Sequence, residues 1–126
     1  MDPDHWTPAE KRIARRVYDA ALDRELAQVM AEFKRRAAAA TEPQDMWAIE
    51  KYLARAGRDI DAKYDYRYSV LEFVFARLLR EGHIEESDLQ GLADNRLERI
   101  RHVATLLGQG PRGDATGPDS GNLERT

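Results

Sequence analysis

The chain has 126 residues, with 42% apolar and 34% charged side chains and a formal net charge of −3 at pH 7. This length fits one domain with a small core, and the mixed, slightly acidic charge gives no electrostatic reason to expect a nucleic-acid partner. The sequence has no cysteine, which excludes disulfides, thiolate chemistry and cysteine-ligated metal.

The first predicted element is a long helix over residues 7–40. Thr7 is a capping residue, Pro8 occupies a first-turn position where its missing N–H is harmless, and Glu10 completes a capping box. No glycine or proline interrupts the helix, and apolar residues recur at helical spacing. A helix of this size is about 48 Å long, whereas a small domain is roughly 30 Å across. We therefore expect a second copy of the chain to cover its apolar face.

A second helix is predicted over residues 44–64, after the break at Glu42-Pro43. Its apolar residues alternate steps of three and four, as in the contact line of a coiled coil: Met46, Ile49, Leu53, Ala56, Ile60 and Tyr64. This spacing predicts that the helix packs along another helix. Gly57 interrupts it, which indicates close approach of a neighbour or a place where the helix bends.

Two further helices are predicted over residues 69–81 and 87–107. Ser69 is the expected cap of the third helix, which is apolar on nearly all sides and is stopped by Gly82. The short link between the two helices makes them an antiparallel hairpin. Residues 1–107 are thus expected to form a single helical domain. Residues 108–126, dominated by glycine, proline and polar residues, are expected to be a disordered tail.

No pattern in the sequence supports catalysis, a cofactor or a metal. His5, His83 and His102 lack metal-ligand spacing, and Ser69 and Ser87 occupy positions that helix capping explains. We therefore expect a non-enzymatic protein without a cofactor. The beginning of the sequence lacks a signal-peptide pattern, and no apolar run is long enough to span a membrane. A cytoplasmic protein without membrane contact is expected.

Two features leave alternatives open. The junction Lys63-Tyr64-Asp65-Tyr66-Arg67-Tyr68 contains the residue types of interface hot spots. It is equally explained by a structural junction in which Tyr64 is part of the core and Asp65 pairs with Arg67 or Lys63. Trp47 lies one residue off the contact line of the second helix. It is expected in a dimer or partner contact, with the core as the alternative.

The segment from Ile60 to Val70, which reads IDAKYDYRYSV, leads into FVFA at Phe73–Ala76 and a Leu78-Leu79 pair. In order, spacing and length, the stretch from about Arg24 through Ile100 resembles the fluorescence recovery protein family of cyanobacteria. The resemblance implies an all-α protein in which a long first helix and three further helices form a stalk and a head. It further implies an antiparallel helical homodimer.

The resemblance also implies which residues make contacts. Dimer contacts fall on Leu26 and Met30, with Trp47 as a further candidate. A partner-binding patch on the second helix begins at Trp47; where the family has a histidine, an aspartate and an arginine, this chain has Glu50, Lys51 and Gly57, and Arg58 is a possible substitute for the arginine. On the head, a phenylalanine and a basic residue linked to partner binding match Phe73 and Arg99.

The function implied by the resemblance is regulation of the orange carotenoid protein. A member of the family binds the photoactivated carotenoid protein and accelerates its return to the resting orange form, without catalysis. Two other hypotheses stay open: a dimeric interaction or scaffold protein with an unrelated partner, which the altered patch favours, and a small nucleic-acid-binding dimer using Arg15, Arg16 and Lys34-Arg35-Arg36. The acidic net charge argues against the last.

Overall fold

The computed structural model describes residues 5–108 and shows an all-α architecture there. The helices are α1 (Pro8–Ala39), α2 (Pro43–Lys63), α3 (Leu71–Glu81) and α4 (Asp94–Gly108), with a short 3₁₀ helix at Glu86–Leu89 before α4. The prediction of a long first helix and three further helices is confirmed. Nearly all of the predicted tail lies outside the described residues. None of the described helices is both long and apolar enough to cross a membrane.

The start of α1 has the capping box that the sequence predicts. The Glu10 backbone N–H donates to Thr7 Oγ1 and the Thr7 N–H donates to Glu10 Oε1, each at 3.1 Å. Pro8 opens the helix. At the start of α2, Asp45 accepts hydrogen bonds from the backbone N–H groups of Thr41 and Glu42 at 2.9 and 3.0 Å. Local side-chain bonds therefore define where both helices begin.

The head of the molecule combines the first half of α1 with α3, the link that follows it, and α4. Its core is made of side chains that are all less than 9% exposed: Trp6, Ala14, Val17, Tyr18, Ala21, Leu71, Val74, Phe75, Ala76, Leu78, Ile84, Leu89, Leu92 and Ile100. The third helix supplies five of them, in agreement with its predicted central position. None comes from α2.

The stalk is formed by the second half of α1 and by α2, which run antiparallel. The Arg36 guanidinium lies 4.3 Å from the centre of the Tyr52 ring, and farther along α2 the Lys63 ammonium contacts Glu25 at 2.6 Å. Later residues of α2 thus contact earlier residues of α1, as expected for antiparallel helices. The stalk is one layer of two helices, so each helix has a side that no other described element covers.

The fourth helix begins later than predicted, and the predicted antiparallel hairpin is wrong: α4 runs parallel to α3. Arg99 in the first half of α4 donates to Glu72 at the start of α3, and Gly108 at the end of α4 lies against Arg80 at the end of α3. The link between the two helices is long enough for this arrangement, because the chain returns through the 3₁₀ helix before α4 begins.

Residues from Ser87 onward form the 3₁₀ helix and a loop, and α4 starts only at Asp94. The reason lies at Gly91, which has φ 105°, and where a Cβ atom would lie 2.6 Å from Ile13 Cδ1. Only glycine fits this turn against α1. Leu89, the last residue of the 3₁₀ helix, and Leu92, in the loop that follows it, are both buried before α4 begins.

Two smaller expectations are corrected. Val70, not Ser69, is the N-cap of α3, and its side chain makes no capping bond; a turn with the Val70 N–H donating to the Arg67 carbonyl at 3.0 Å precedes the helix. Gly57 has no close neighbour within 4 Å, and α2 continues through it. Within residues 5–108, close approach of another element therefore does not explain this glycine.

Candidate protein-binding surfaces

The stalk carries large apolar side chains that no described residue covers. Leu26 and Met30 on α1 are 47% and 53% exposed, and Met46, Trp47 and Leu53 on α2 are 54%, 59% and 37% exposed. We call these five residues the stalk face. Large apolar side chains exposed on neighbouring helices make the stalk face a candidate interaction surface.

The apolar residues of the coiled-coil line predicted for α2 lie in two different environments. Ile49, Ala56 and Ile60 are half-buried and line shallow clefts against α1. Met46 and Leu53, from the same predicted line, remain exposed beside Trp47. The pattern therefore predicted a helix neighbour correctly, and part of the predicted line is covered by no other described residue.

The second candidate surface is the outer side of α2, formed by Trp47, Glu50, Lys51 and Arg58, which we call the α2 patch. All four residues are exposed. A Cβ atom added at Gly57 would have no neighbour within 4 Å, so the position has room for the start of a side chain such as the arginine that the family resemblance implies. Their exposure leaves all four side chains accessible to another protein.

The third candidate surface is the head face, which contains Phe73 and Arg99. Phe73 is 51% exposed and lies at a groove of about 540 Å³ whose walls include Arg77, Arg80 and Leu107. Arg99 projects from α4 and donates to both carboxylate oxygens of Glu72, at 2.9 and 2.8 Å. An exposed aromatic ring and an arginine held by a neighbouring carboxylate are features of protein-binding sites.

Stalk and head are joined by a buried charge cluster that the sequence did not predict. Lys63, the only buried residue of α2, donates to Glu25 at 2.6 Å and to Glu81 at 2.7 Å. The Tyr64 hydroxyl donates to the other Glu25 oxygen at 2.9 Å. Burial alone would lower the pKa of Lys63, but its two carboxylate partners outweigh burial and raise it. The cluster fixes the end of α2 to both α1 and α3.

Glu25, Glu81 and His83 bring three potential metal-ligand atoms within 4.8 Å of one another. The Lys63 ammonium already contacts both carboxylates. Because this cation supplies the positive charge that the two glutamates require, the cluster is explained as an ion-pair network and not as a metal centre.

The tyrosine-rich junction after α2 is largely structural. The rings of Tyr64 and Tyr66 pack edge-on against Tyr18 of α1, with centroids 5.4 and 4.8 Å apart. Asp65 accepts from Arg67 at 2.5 to 3.0 Å, one of the two pairings considered from the sequence. Tyr68 is 37% exposed. The contacts favour the interpretation of this segment as a junction that orients the head on α1.

Comparison with known proteins agrees with the architecture. The family model described as photoprotection regulator fluorescence recovery protein matches residues 6–104. The fluorescence recovery protein of Synechocystis sp. strain PCC 6803 is 36% identical over 101 residues, which is 80% of this chain and 93% of that protein.

Two solved structures are similar to this chain over most of its length. The fluorescence recovery protein of Fremyella diplosiphon superimposes with a TM-score of 0.78 at 32% identity, and that of Synechocystis sp. PCC 6803 with 0.78 at 35%. Each match covers 80% of this chain and 99% of the solved chain. The chain therefore belongs to the fluorescence recovery protein family of photoprotection regulators.

Proposed function

We propose that this protein binds the photoactivated orange carotenoid protein and accelerates its return to the resting orange form. The observation that carries the proposal is the head face: in a chain of this family, Phe73 is 51% exposed on α3, and the preceding residue, Glu72, holds Arg99 of α4 in place. Nothing in the packing of the head requires that ring at the surface. Its exposure is explained if it is covered in a complex.

The proposed mechanism is differential binding. A protein with no reacting groups speeds a conformational return by binding the compact arrangement of its partner, and the path toward it, more tightly than the open arrangement. The proposal therefore requires neither catalysis nor a cofactor or metal of the protein's own, and it places the activity in the cytoplasm.

The proposed form of the free protein is a homodimer in which the stalk faces of two copies cover each other. Covering one half-exposed leucine or methionine contributes roughly 1 kcal/mol. In a two-fold symmetric dimer each of the five stalk-face residues contributes twice, once from each copy. Leu26, Met30 and Trp47 are the proposed dimer contacts, with the two α2 helices antiparallel. Trp47 then lies where the dimer contact meets the α2 patch.

A second candidate function is a dimeric interaction protein with a different partner. The observation that favours it is the α2 patch, where Glu50, Lys51 and Gly57 stand at positions implied to hold other residues in the family. A change of charge on an exposed surface alters which partner is accepted more than it alters the fold. The α2 patch is thus the proposed determinant of partner choice, and the head face the proposed shared contact.

The test is the rate at which a photoactivated orange carotenoid protein recovers its orange absorbance in the dark, with and without this protein. The proposal predicts acceleration by the wild type and a clear loss of acceleration with Phe73→Ala. Thermal unfolding and mass measurement in solution would show that the variant stays folded and dimeric. Wild-type protein that is a folded dimer and leaves the recovery rate unchanged would reject this function in favour of the second candidate.

A further inference from the structure

We propose that Glu72 is a positioning residue for partner binding: with buried Arg96 and Glu10 behind it, it fixes the direction in which Arg99 points from the head face. This inference rests on the proposed function, in which Arg99 contacts the partner. It assigns a role to Glu72, Arg96 and Glu10. Their charged groups bond to other residues of the head and do not themselves need to touch the partner.

The contact between Glu72 and Arg99 has the geometry of a rigid clamp. Arg99 Nε donates to Glu72 Oε1 at 2.9 Å and its NH2 group donates to Oε2 at 2.8 Å. Two parallel bonds between planar groups fix the orientation of both. Glu72 immediately precedes Phe73 in α3, so the clamp ties Arg99 to the helix that carries the exposed ring. The Arg99 side chain is still 40% exposed.

Glu72 is itself held from behind by Arg96. Arg96 NH1 donates to Glu72 Oε2 at 2.5 Å, so this one oxygen receives bonds from two guanidinium groups. The Arg96 side chain is only 2% exposed, and its guanidinium stacks 3.9 Å from the centre of the Trp6 ring. Its NH2 group also donates to the His5 carbonyl at 3.1 Å. Arg96 therefore has little freedom to move.

Glu10 anchors this arrangement to α1. Its Oε2 accepts from Arg96 Nε at 3.1 Å and from the Ala93 backbone N–H at 3.0 Å, just before α4 begins. Its other oxygen is occupied by the capping box of α1. Glu10, Arg96, Glu72 and Arg99 thus form one continuous chain of bonds from the first turn of α1 to the head face.

The four charges of this chain balance, with two carboxylates and two guanidinium groups. Glu72 therefore adds no net attraction for a partner, and its contribution lies in restricting Arg99. An arginine that is ordered before binding loses less side-chain entropy in the complex, and this raises affinity. A partner carboxylate placed to accept from the exposed side of Arg99 would gain most from such ordering.

Arg101 and Glu86 provide a matched control on the same head. Arg101 is also on α4 and donates from Nε to Glu86 at 2.8 Å. The two side chains are 50% and 56% exposed, and no buried arginine stands behind Glu86. This pair has the same residue types as Arg99 and Glu72, but one hydrogen bond instead of two and no support from behind.

The first measurement is made on the free full-length protein by NMR of the arginine Nε–Hε groups. The inference predicts an ordered, slowly exchanging Arg99 signal in the wild type, lost in Glu72→Gln and kept in Glu86→Gln. Because no partner is present, this result is independent of the proposed function. An Arg99 signal that is equally ordered in wild type and Glu72→Gln would overturn the inference.

The second measurement is a double-mutant cycle on affinity for the photoactivated orange carotenoid protein. Glu72→Gln is expected to weaken binding about tenfold, which corresponds to about 1.4 kcal/mol, and to have less than about a twofold effect when Arg99→Ala is already present. Equal losses in both backgrounds would show a merely structural role and overturn the inference. No binding by wild-type protein whose Arg99 is ordered would reject the proposed function, while the ordering of Arg99 by Glu72 would stand.

Discussion

The head and the stalk bury their side chains in opposite ways. The head has a continuous apolar core and a buried chain of charges from Glu10 to Arg99, so its own residues satisfy one another. The stalk is two helices in one layer, and the only buried residue of α2 is the charged Lys63 at its end. Among the described residues the head thus has a core of its own, whereas the stalk leaves five large apolar side chains exposed. Function divides along the same line in our proposal, with dimerisation on the stalk and partner contact on the head.

The strongest expected effect comes from breaking the joint between the two regions with Lys63→Met. This change leaves the buried Glu25 without its ammonium partner, whereas Glu81 keeps Arg77, and we expect it to lower the free energy of unfolding by about 3 kcal/mol. Denaturant unfolding at pH 7 measures the loss. Lys51→Met, which removes the same charge from an exposed position of α2, should change it by less than about 0.5 kcal/mol. Similar losses for both would contradict the importance of the buried cluster.

The next effect concerns association through the stalk. Met30→Glu places a charge on the stalk face of each copy, and we expect the dimer dissociation constant to rise at least about a hundredfold, equivalent to about 2.7 kcal/mol. Sedimentation equilibrium measures it. Leu106→Glu is the matched control because Leu106 is equally exposed, at 53%, but lies on the head. A dimer that survives Met30→Glu and dissociates with Leu106→Glu would show that the interface lies on the head and not on the stalk.

A pH dependence is expected from the head network. Burial acts to raise the pKa of Glu10, but hydrogen bonds from Ala93, Thr7 and Arg96 outweigh it and hold the pKa below its ordinary value of 4.5. The folded state therefore binds this proton more weakly than the unfolded state. The resulting stability is fully present above about pH 4.5 and is lost as pH falls through the lowered folded value.

Glu10→Gln tests this expectation. The variant should be less stable than the wild type at pH 7 and should lose less on acidification toward pH 3, measured as unfolding free energy at each pH. Parallel pH curves for the two proteins would contradict the role assigned to the ionised carboxylate.

The smallest expected effect is a gain in stability from a substitution in the stalk. Gly57→Arg fills open space on α2 and replaces the poorest non-proline helix former, so stability should rise by about 1 kcal/mol. Ala54→Arg adds the same charge at an exposed position without removing a glycine and should change stability by less than about 0.5 kcal/mol. If the α2 patch contacts the carotenoid protein, Gly57→Arg should also accelerate dark recovery beyond the wild-type rate; an unchanged or slower rate would remove this position from the partner contact.

Features of the fold that depend on neighbouring residues were predicted well from the sequence. Features that depend on contacts between distant residues were not. Thr7 and Glu10 lie three residues apart, so their capping box was readable from the sequence. The late start of α4 was missed because it depends on how closely Gly91 approaches Ile13, which is set only when the chain has folded. Apolar spacing in α2 predicted a helix neighbour but did not distinguish α1 from a second copy.

The same distinction applies to the candidate surfaces. The exposed positions of Trp47 and Phe73 followed from the family resemblance and agree with the structure. Lys63 with Glu25, and Arg96 with Glu10, were missed because each pair is separated by many residues: 38 and 86. Charged residues are common in this sequence, and nothing in the local pattern marked these four as buried.

The most direct test of the division between stalk and head is dark recovery of the photoactivated orange carotenoid protein with three variants compared at equal protomer concentration. We predict that monomeric Met30→Glu still binds and accelerates recovery through its head, that dimeric Arg99→Glu does not, and that Arg101→Glu behaves as the wild type. Unimpaired acceleration by Arg99→Glu, together with complete loss in Met30→Glu, would contradict the account and move the partner contact from the head to the stalk.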